Sequence, residues 1–186
     1  MFLGIDPAND GGAVLINQKG LVLKCFSWKK VQRQKVKVWK VIYSNDALAH
    51  EEIIVKNEVD IAIYIGKYIF DKTAIAIEAP YVDRKFPKSG LDVARVGGIM
   101  IGGVIGSMNG YPVSQIWISA SNWRYQLLSL RPYTKRAECK RRSLHDMPLL
   151  CPSIKDHLKI HGTLDHITDA LGVALWYRQK ITGWKK

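Results

Sequence analysis

The side chains best suited to chemistry in this sequence are carboxylates placed at the ends of apolar runs. Asp6 closes Phe2-Leu-Gly-Ile-Asp6, Glu78 closes Ala74-Ile-Ala-Ile-Glu78, and Asp165-His166-Ile-Thr-Asp169 opens a long apolar segment near the C-terminus. A carboxylate at the end of a buried strand costs desolvation free energy unless something compensates it, and a divalent cation is the compensation that also does chemistry. Asp165 and Asp169 are four residues apart and His166 and Asp169 three, so on a helix all three group on one side of the first turn. The residues that follow (Ile167, Ala170, Leu171, Val173, Ala174, Leu175) are apolar, which buries the helix and sets its acidic turn at the margin of the core, near the strand ends. Carboxylates so arranged bind two Mg²⁺ or Mn²⁺ ions about 4 Å apart, which activate water and stabilise the leaving oxygen at phosphorus. Each acid also has a plainer reading: Asp165 as a helix-start residue, Asp6-Pro7 as a turn starter. The combination of an acid after each of two apolar strands with a pair on a buried helix favours the metal site.

The rest of the chain is basic. Its 186 residues carry 28 Lys and Arg against 16 Asp and Glu, a net charge of +12, which points to a polyanionic partner. Nucleic acid is the partner expected, and no membrane. The longest uncharged apolar stretch, Val96–Met108, has 13 residues and five glycines, and Asp6 and Pro7 interrupt the N-terminus where a signal peptide needs an apolar run. The expected location is cytoplasmic, nucleoid-associated or in the host cytoplasm for a viral protein. Three cysteines without a CxxC pair do not make a disulfide framework, and Cys139 and Cys151 have eleven residues between them, too many for the zinc spacing that His157 and His161 otherwise suggest.

The elements that must position the acids follow from periodicity and turn residues. One domain spans 1–186, with strands at 2–6, 13–17 and 21–28 forming an antiparallel meander. The basic stretch Lys29–Lys40 reads either as a lysine-solubilised edge strand or loop or as a phosphate contact. Ser44 or Asn45 caps a helix to about Phe70, and the strand ending at Glu78 follows. A basic, aromatic loop holds Tyr81, Arg84, Lys85 and Phe86, and a helix at 89–109 carries Ala94, Gly98, Gly102 and Gly106 at four-residue spacing. That stripe packs either on its own sheet or on a second subunit. A strand at 113–118 and helices at 121–130, 134–144 and 164–181 complete an α/β fold, a mixed five-stranded sheet with helices on both faces.

Gly4-Ile-Asp6-Pro with Gly12, Ile77-Glu78 with Tyr81, Ser89-Gly-Leu through Gly98, and His166-x-x-Asp169-Ala-Leu together resemble the RuvC family of crossover junction endodeoxyribonucleases, in order along nearly the whole chain. The resemblance implies a ribonuclease H-like fold, a homodimer, and paired symmetric Mg²⁺-dependent nicks in four-way DNA junctions, leaving 5′-phosphates. It makes Asp6, Glu78, His166 and Asp169 the catalytic, metal-binding set. Asp165 departs from the family pattern and stands either as an orienter or in place of His166 at the metal. Tyr81 matches an aromatic that stacks on bases near the junction centre, with Arg84 and Lys85 beside it. Arg124 and Lys135 match lysines beside the scissile phosphate, and Lys135, Arg136, Lys140 and Arg141 make a basic helix that positions DNA. The alternatives are a ribonuclease H-like nuclease acting on flaps, other branched DNA or RNA-DNA hybrids, and a non-catalytic DNA-binding module.

Overall fold

A computed structural model describes residues 1–33, 36–45, 49–80, 87–162 and 165–183. The expected site residues Tyr81, Arg84 and Lys85 lie outside them. The sheet is mixed, with the order β5-β4-β3-β2-β1-β6-β7. Strands β1 (Phe2–Asp6), β2 (Gly11–Ile16), β3 (Val22–Arg33), β4 (Val36–Asn45) and β5 (Ala49–Val55) are antiparallel neighbours, and β1, β6 (Ala74–Ala79) and β7 (Ser114–Ser119) run parallel. Helices α1 (Glu58–Gly66) and α2 (Pro87–Ser107) cover one face; α3 (Ala120–Leu128), α4 (Arg136–Leu150), α5 (Ile154–His161) and α6 (Asp165–Thr182) cover the other.

The α/β class and the helices on both faces are as expected; the strand count is not. Seven strands stand where five are expected, because residues 36–45 and 49–55 form β4 and β5, where the sequence reads as an edge strand or loop followed by the start of a helix. The β-branched run Ile53-Ile54-Val55 pairs with Val41-Lys40-Trp39, where such side chains fit a pleated surface. Ser44 and Asn45 therefore end a strand, and the helix begins twelve residues later at Asn57, whose side chain accepts the Asp60 amide N–H at 3.0 Å. In α4 the expected end at 144 moves to Leu150, anchored by fully buried Met147. Helix α5 is an addition to the expected elements; two of its three buried positions are His157 and His161.

Alternation along β1 decides which face each residue serves. Leu3 and Ile5 join the core under α1 and α2, while Phe2 joins the core under α6. Gly4 faces α6, and a Cβ there would meet the carbonyl oxygen of Ala170 at 2.1 Å and the amide of Ala174 at 2.6 Å. Only a glycine lets the helix backbone lie so close to the strand. Gly12 on β2 does the same for the first turn, where a Cβ would meet the His166 carbonyl oxygen at 2.8 Å. These two contacts seat the acidic end of α6 beside the ends of β1 and β2.

The expected glycine stripe of α2 does not pack on its own sheet. Gly97 and Gly103 face Trp117 and Ala62, whereas a Cβ added at Gly98, Gly102 or Gly106 would meet nothing within 4 Å, and these three face outward. The same helix contains an 18-residue window, Gly90–Ser107, of mean hydropathy 1.2, long and apolar enough by length and composition to cross a membrane. The expected limit of 13 residues is passed because the window takes in Asp92 and Arg95. Val96, Met100 and Val104 of this helix belong to the core beneath it.

Candidate active site

Asp6 is the last residue of β1, and Glu78 lies one residue past the Ile5–Ile77 pair of the adjacent parallel strand. Ile5 and Ile77 point to the α1/α2 core, so alternation turns Asp6 and Glu78 to the opposite face, toward α6. There they meet Asp169, in the second turn of α6 and only 7% exposed. Glu78 Oε2 accepts the indole N–H of Trp123 at 2.9 Å, and Asp169 Oδ2 accepts from Arg124 Nη2 at 2.7 Å. Asp6 Oδ2 accepts from His166 Nδ1 at 2.7 Å. Asp169 Oδ1 is buried without a hydrogen-bond partner of good geometry, although the Ser143 hydroxyl is near enough to favour its ionised form.

The electrostatics record the crowding. Burial, with the charges of Asp6 and Asp169, pushes Glu78 up to about 8 against the pull of Arg124 and Trp123. Burial likewise pushes Asp169 up to about 6, with Asp6 adding to it and Arg124 opposing. For His166, burial disfavours the imidazolium, but the Asp6 bond and the charges of Asp6, Asp165 and Asp169 prevail and raise it above the ordinary imidazole value. Asp165 is drawn away: burial pushes its carboxyl up, but an ion pair with Lys140 and the nearby His166 hold it below the usual range. His166, not Asp165, is therefore the side chain that touches Asp6.

The remaining expected residues fall in three places. Arg124 is inside the site, stacked over Trp123 at 4.9 Å as well as paired with Asp169. Lys140 neutralises Asp165, and Arg141 is exposed and pairs with Glu138 on its own helix at 2.6 Å. Lys135 and Arg136 are exposed at the start of α4. Arg136 lines a groove of about 470 Å³ that runs from Ala79 and Pro80, just past Glu78, along Arg124 and Arg131 to Tyr133. Tyr133 is 96% exposed. Trp123, Ser143 and Arg131 also belong to this region, and nothing in the sequence singles them out. Trp123 follows Asn122 in a segment with weak apolar periodicity, so only the fold reveals that its indole reaches Glu78.

Among the described residues, no group of three or more His, Cys, Asp or Glu side chains has a geometry that could hold a metal ion. Asp6 is engaged by His166 and Asp169 by Arg124. The donor chemistry nevertheless suits a hard divalent cation: oxygen ligands, two acids raised by burial and by the charge of Asp6, and one carboxylate oxygen left without a well-placed partner. Without such an ion, a proton on Glu78 relieves the repulsion.

No protein-family model matches the sequence, and no curated protein matches it. Among solved structures, the chain is similar to T. thermophilus RuvC in complex with a Holliday junction substrate, at 14% identity over 98% of this chain and 96% of that one, with a TM-score of 0.35. Identity and TM-score are both low.

Proposed function

We propose that this protein is a metal-dependent Holliday junction resolvase of ribonuclease H-like fold, an endonuclease that nicks four-way DNA junctions symmetrically as a homodimer in the cytoplasm. The observation that carries this reading is the meeting of Asp6, Glu78 and Asp169 at the ends of two adjacent parallel strands and a buried helix, with Glu78 and Asp169 both raised by burial first and by the neighbouring acids second. The run β3-β2-β1-β6-β7, an antiparallel meander followed by a parallel pair, supports the fold assignment. The net charge of +12 supports a polyanionic substrate.

Asp6, Glu78 and Asp169 would hold the ions, with His166 as the fourth member. Two Mg²⁺, or Mn²⁺ in their place, would supply an activated water and charge stabilisation for the leaving oxygen. The chain's own residues do the rest. His166 holds a proton against Asp6 and is placed to exchange it beside the acids. Arg124 is fixed over Trp123, at the boundary between the acids and the groove, where it can meet a phosphate. Arg131 and Arg136 line the path of a strand leaving the acids, and exposed Tyr133 offers a face for a base.

A second reading has its own support. His166 on Asp6 and Arg124 on Asp169 already compensate two of the acids, which fits a DNA-binding module that does not cut. Incubation with a synthetic four-way junction, linear duplex and flap DNA, in Mg²⁺, Mn²⁺ or EDTA, separates the readings. Paired nicks in the junction alone, lost in EDTA and in Asp6→Asn and Asp169→Asn, are the expected result. Junction binding without metal-dependent cleavage would leave the binding module, and equal cutting of flaps would make it a broader branched-DNA nuclease.

A further inference from the structure

β4, one of the two strands beyond the expected five, makes with β3 an element outside the catalytic set. β1 ends at Asp6, which pairs with Gly12, and β2 begins at Gly11, which pairs with Trp28. Past Trp28, β3 has β4 as its sheet neighbour, and β5 reaches only as far as the Trp39–Val55 pair. The ladder from Val31–Val38 to Arg33–Val36 is thus a two-stranded ribbon that continues beyond the end of the sheet where the acids stand. From Lys30, whose partner Trp39 is the last position of β4 with β5 beside it, to Arg33 its reach is about 10 Å at ~3.3 Å per residue.

Its charges are all of one sign. Lys29, Lys30, Arg33 and Lys37 are exposed, and Lys40 is half-buried and paired with Glu52. Lys29, Arg33 and Lys37 make no ion pair with a described carboxylate. Lys29 and Lys40 are direct cross-strand partners, and with Lys40 already held by Glu52 it is Lys29 whose charge is left for an outside anion. They line a cavity of about 170 Å³ together with His161, Asp165 and His166, which ties the root of the ribbon to the acidic site. Alternation puts Lys29 and Arg33 on one face and Lys30 and Lys37 on the other, so both faces are basic.

We propose that the β3–β4 ribbon is a duplex-gripping arm that lies in a groove of a double-helical limb of the substrate, with its lysines and Arg33 on the phosphate walls. This rests on the DNA reading above and extends it to residues outside the acidic site. A two-stranded ribbon fits the major groove, and a reach of about 10 Å spans about three base pairs at ~3.4 Å each. The two aromatics here do not favour other partners. Trp28 and Trp39 are 3% and 6% exposed, and Lys30 covers the Trp39 ring at 4.3 Å, so neither indole offers a face to an unpaired base or an anchor to a lipid surface. Contacts of this kind hold the backbone and do not read sequence.

The test compares the wild-type chain with the triple variant Lys29→Gln/Arg33→Gln/Lys37→Gln and with Lys29→Arg/Lys37→Arg, all checked for unchanged thermal unfolding. Binding is measured in EDTA to a four-way junction, a linear duplex and a single strand across a salt series, with phosphatidylserine vesicles as a further arm. The expected result is a 10- to 100-fold loss of duplex and junction affinity in the glutamine variant, and a salt slope shallower by about 2 to 3, since each phosphate contact contributes about 0.9. The arginine variant keeps wild-type affinity, and single-strand affinity falls less. Unchanged duplex affinity and slope, or an equal loss for single strand and duplex, overturns the proposal. So does a loss confined to vesicles, which would make the ribbon a membrane contact. If the wild type nicks the junction and the variants bind it as well as the wild type does, only the arm is wrong; if the wild type binds no DNA, both readings fall.

Discussion

Arg124 donates from Nη2 to Asp169 Oδ2 over 2.7 Å, while Oδ1 of the same carboxylate is buried with no hydrogen-bond partner of good geometry. Asp169 is therefore half compensated, by a cation that belongs to the chain. Removing one member of a buried ion pair leaves the other uncompensated, at a cost of about 3 kcal/mol. Arg124→Met is expected to lose about that much stability at pH 7 without metal, measured by urea unfolding. Mg²⁺ is expected to raise its Tm more than it raises that of the wild type, because the ion then supplies the missing charge. An unchanged unfolding midpoint in the absence of metal would show that the pair does not matter to the fold.

Glu78 makes the opposite prediction. Its carboxyl is raised to about 8, so near neutrality it holds a proton, and glutamine imitates that form. A group raised above its unfolded value contributes stability that is fully present below about 4.5 and is lost as pH rises through about 8. Since the Trp123 indole still finds an oxygen acceptor, Glu78→Gln is expected to match wild type near pH 4.5, to be the more stable protein at pH 7, and to be more so at pH 9. Junction nicking is expected to disappear in the same variant. Equal losses of stability with pH in the two proteins would remove Glu78 as the titrating group.

How far the sequence goes in announcing this site depends on the kind of signal each residue carries. Asp6, Glu78 and Asp169 are legible because each interrupts an apolar run, and strand alternation or helix spacing then fixes its side. Gly4 and Gly12 are legible as motif members, but their purpose, the close seating of α6, emerges only from the folded chain. The first half of β4 is legible as a possible edge strand, but the rest of β4 and β5 are obscured: Glu51 and Glu52 disguise the alternation of β5, and Ser44 and Asn45 imitate a helix start where Val41 and Tyr43 are the buried half of a strand. Helix α5 is hidden for a related reason, since its buried positions beyond Ile154 are histidines, which a reading by hydropathy counts as polar. The Trp123–Glu78 and Lys140–Asp165 contacts join residues far apart in the chain, and no local pattern encodes them.

The same buried histidines give the fold an acid-labile point away from the carboxylates. His161 shares its two ring nitrogens between Ser27 Oγ at 2.7 Å and Ser44 Oγ at 2.8 Å, and Ser44 also meets His157 Nδ1 at 2.7 Å. Burial first, then His157 and His50, lowers His161 to about 4. A histidine whose folded value is lowered stabilises the protein above its unfolded value of about 6.5, and that contribution is lost as pH falls from there toward about 4. The shift corresponds to about 3 kcal/mol. Urea unfolding of wild type is expected to show this loss between pH 7 and pH 4.5, and His161→Gln to show a flatter profile over the same range. Identical profiles would place the acid-sensitive group elsewhere.

The seating of α6 on β1 gives the last prediction, and a control lies on α2. A methyl group at Gly4 would meet the Ala170 carbonyl oxygen at 2.1 Å, a backbone atom that cannot swing aside. Gly4→Ala must push α6 off the strand, at about 3 kcal/mol or more, and with it His166 and Asp169 leave Asp6. Gly98→Ala adds the same methyl group where nothing lies within 4 Å, and in a helix interior that substitution is worth up to about 1 kcal/mol in favour of folding. The expected outcome is a lowered Tm and lost junction nicking for Gly4→Ala, against a raised Tm for Gly98→Ala. Sedimentation of the second variant adds a test of the proposed homodimer: weaker self-association than wild type would put the outward glycines of α2 in the subunit contact, and unchanged association would place that contact on another surface.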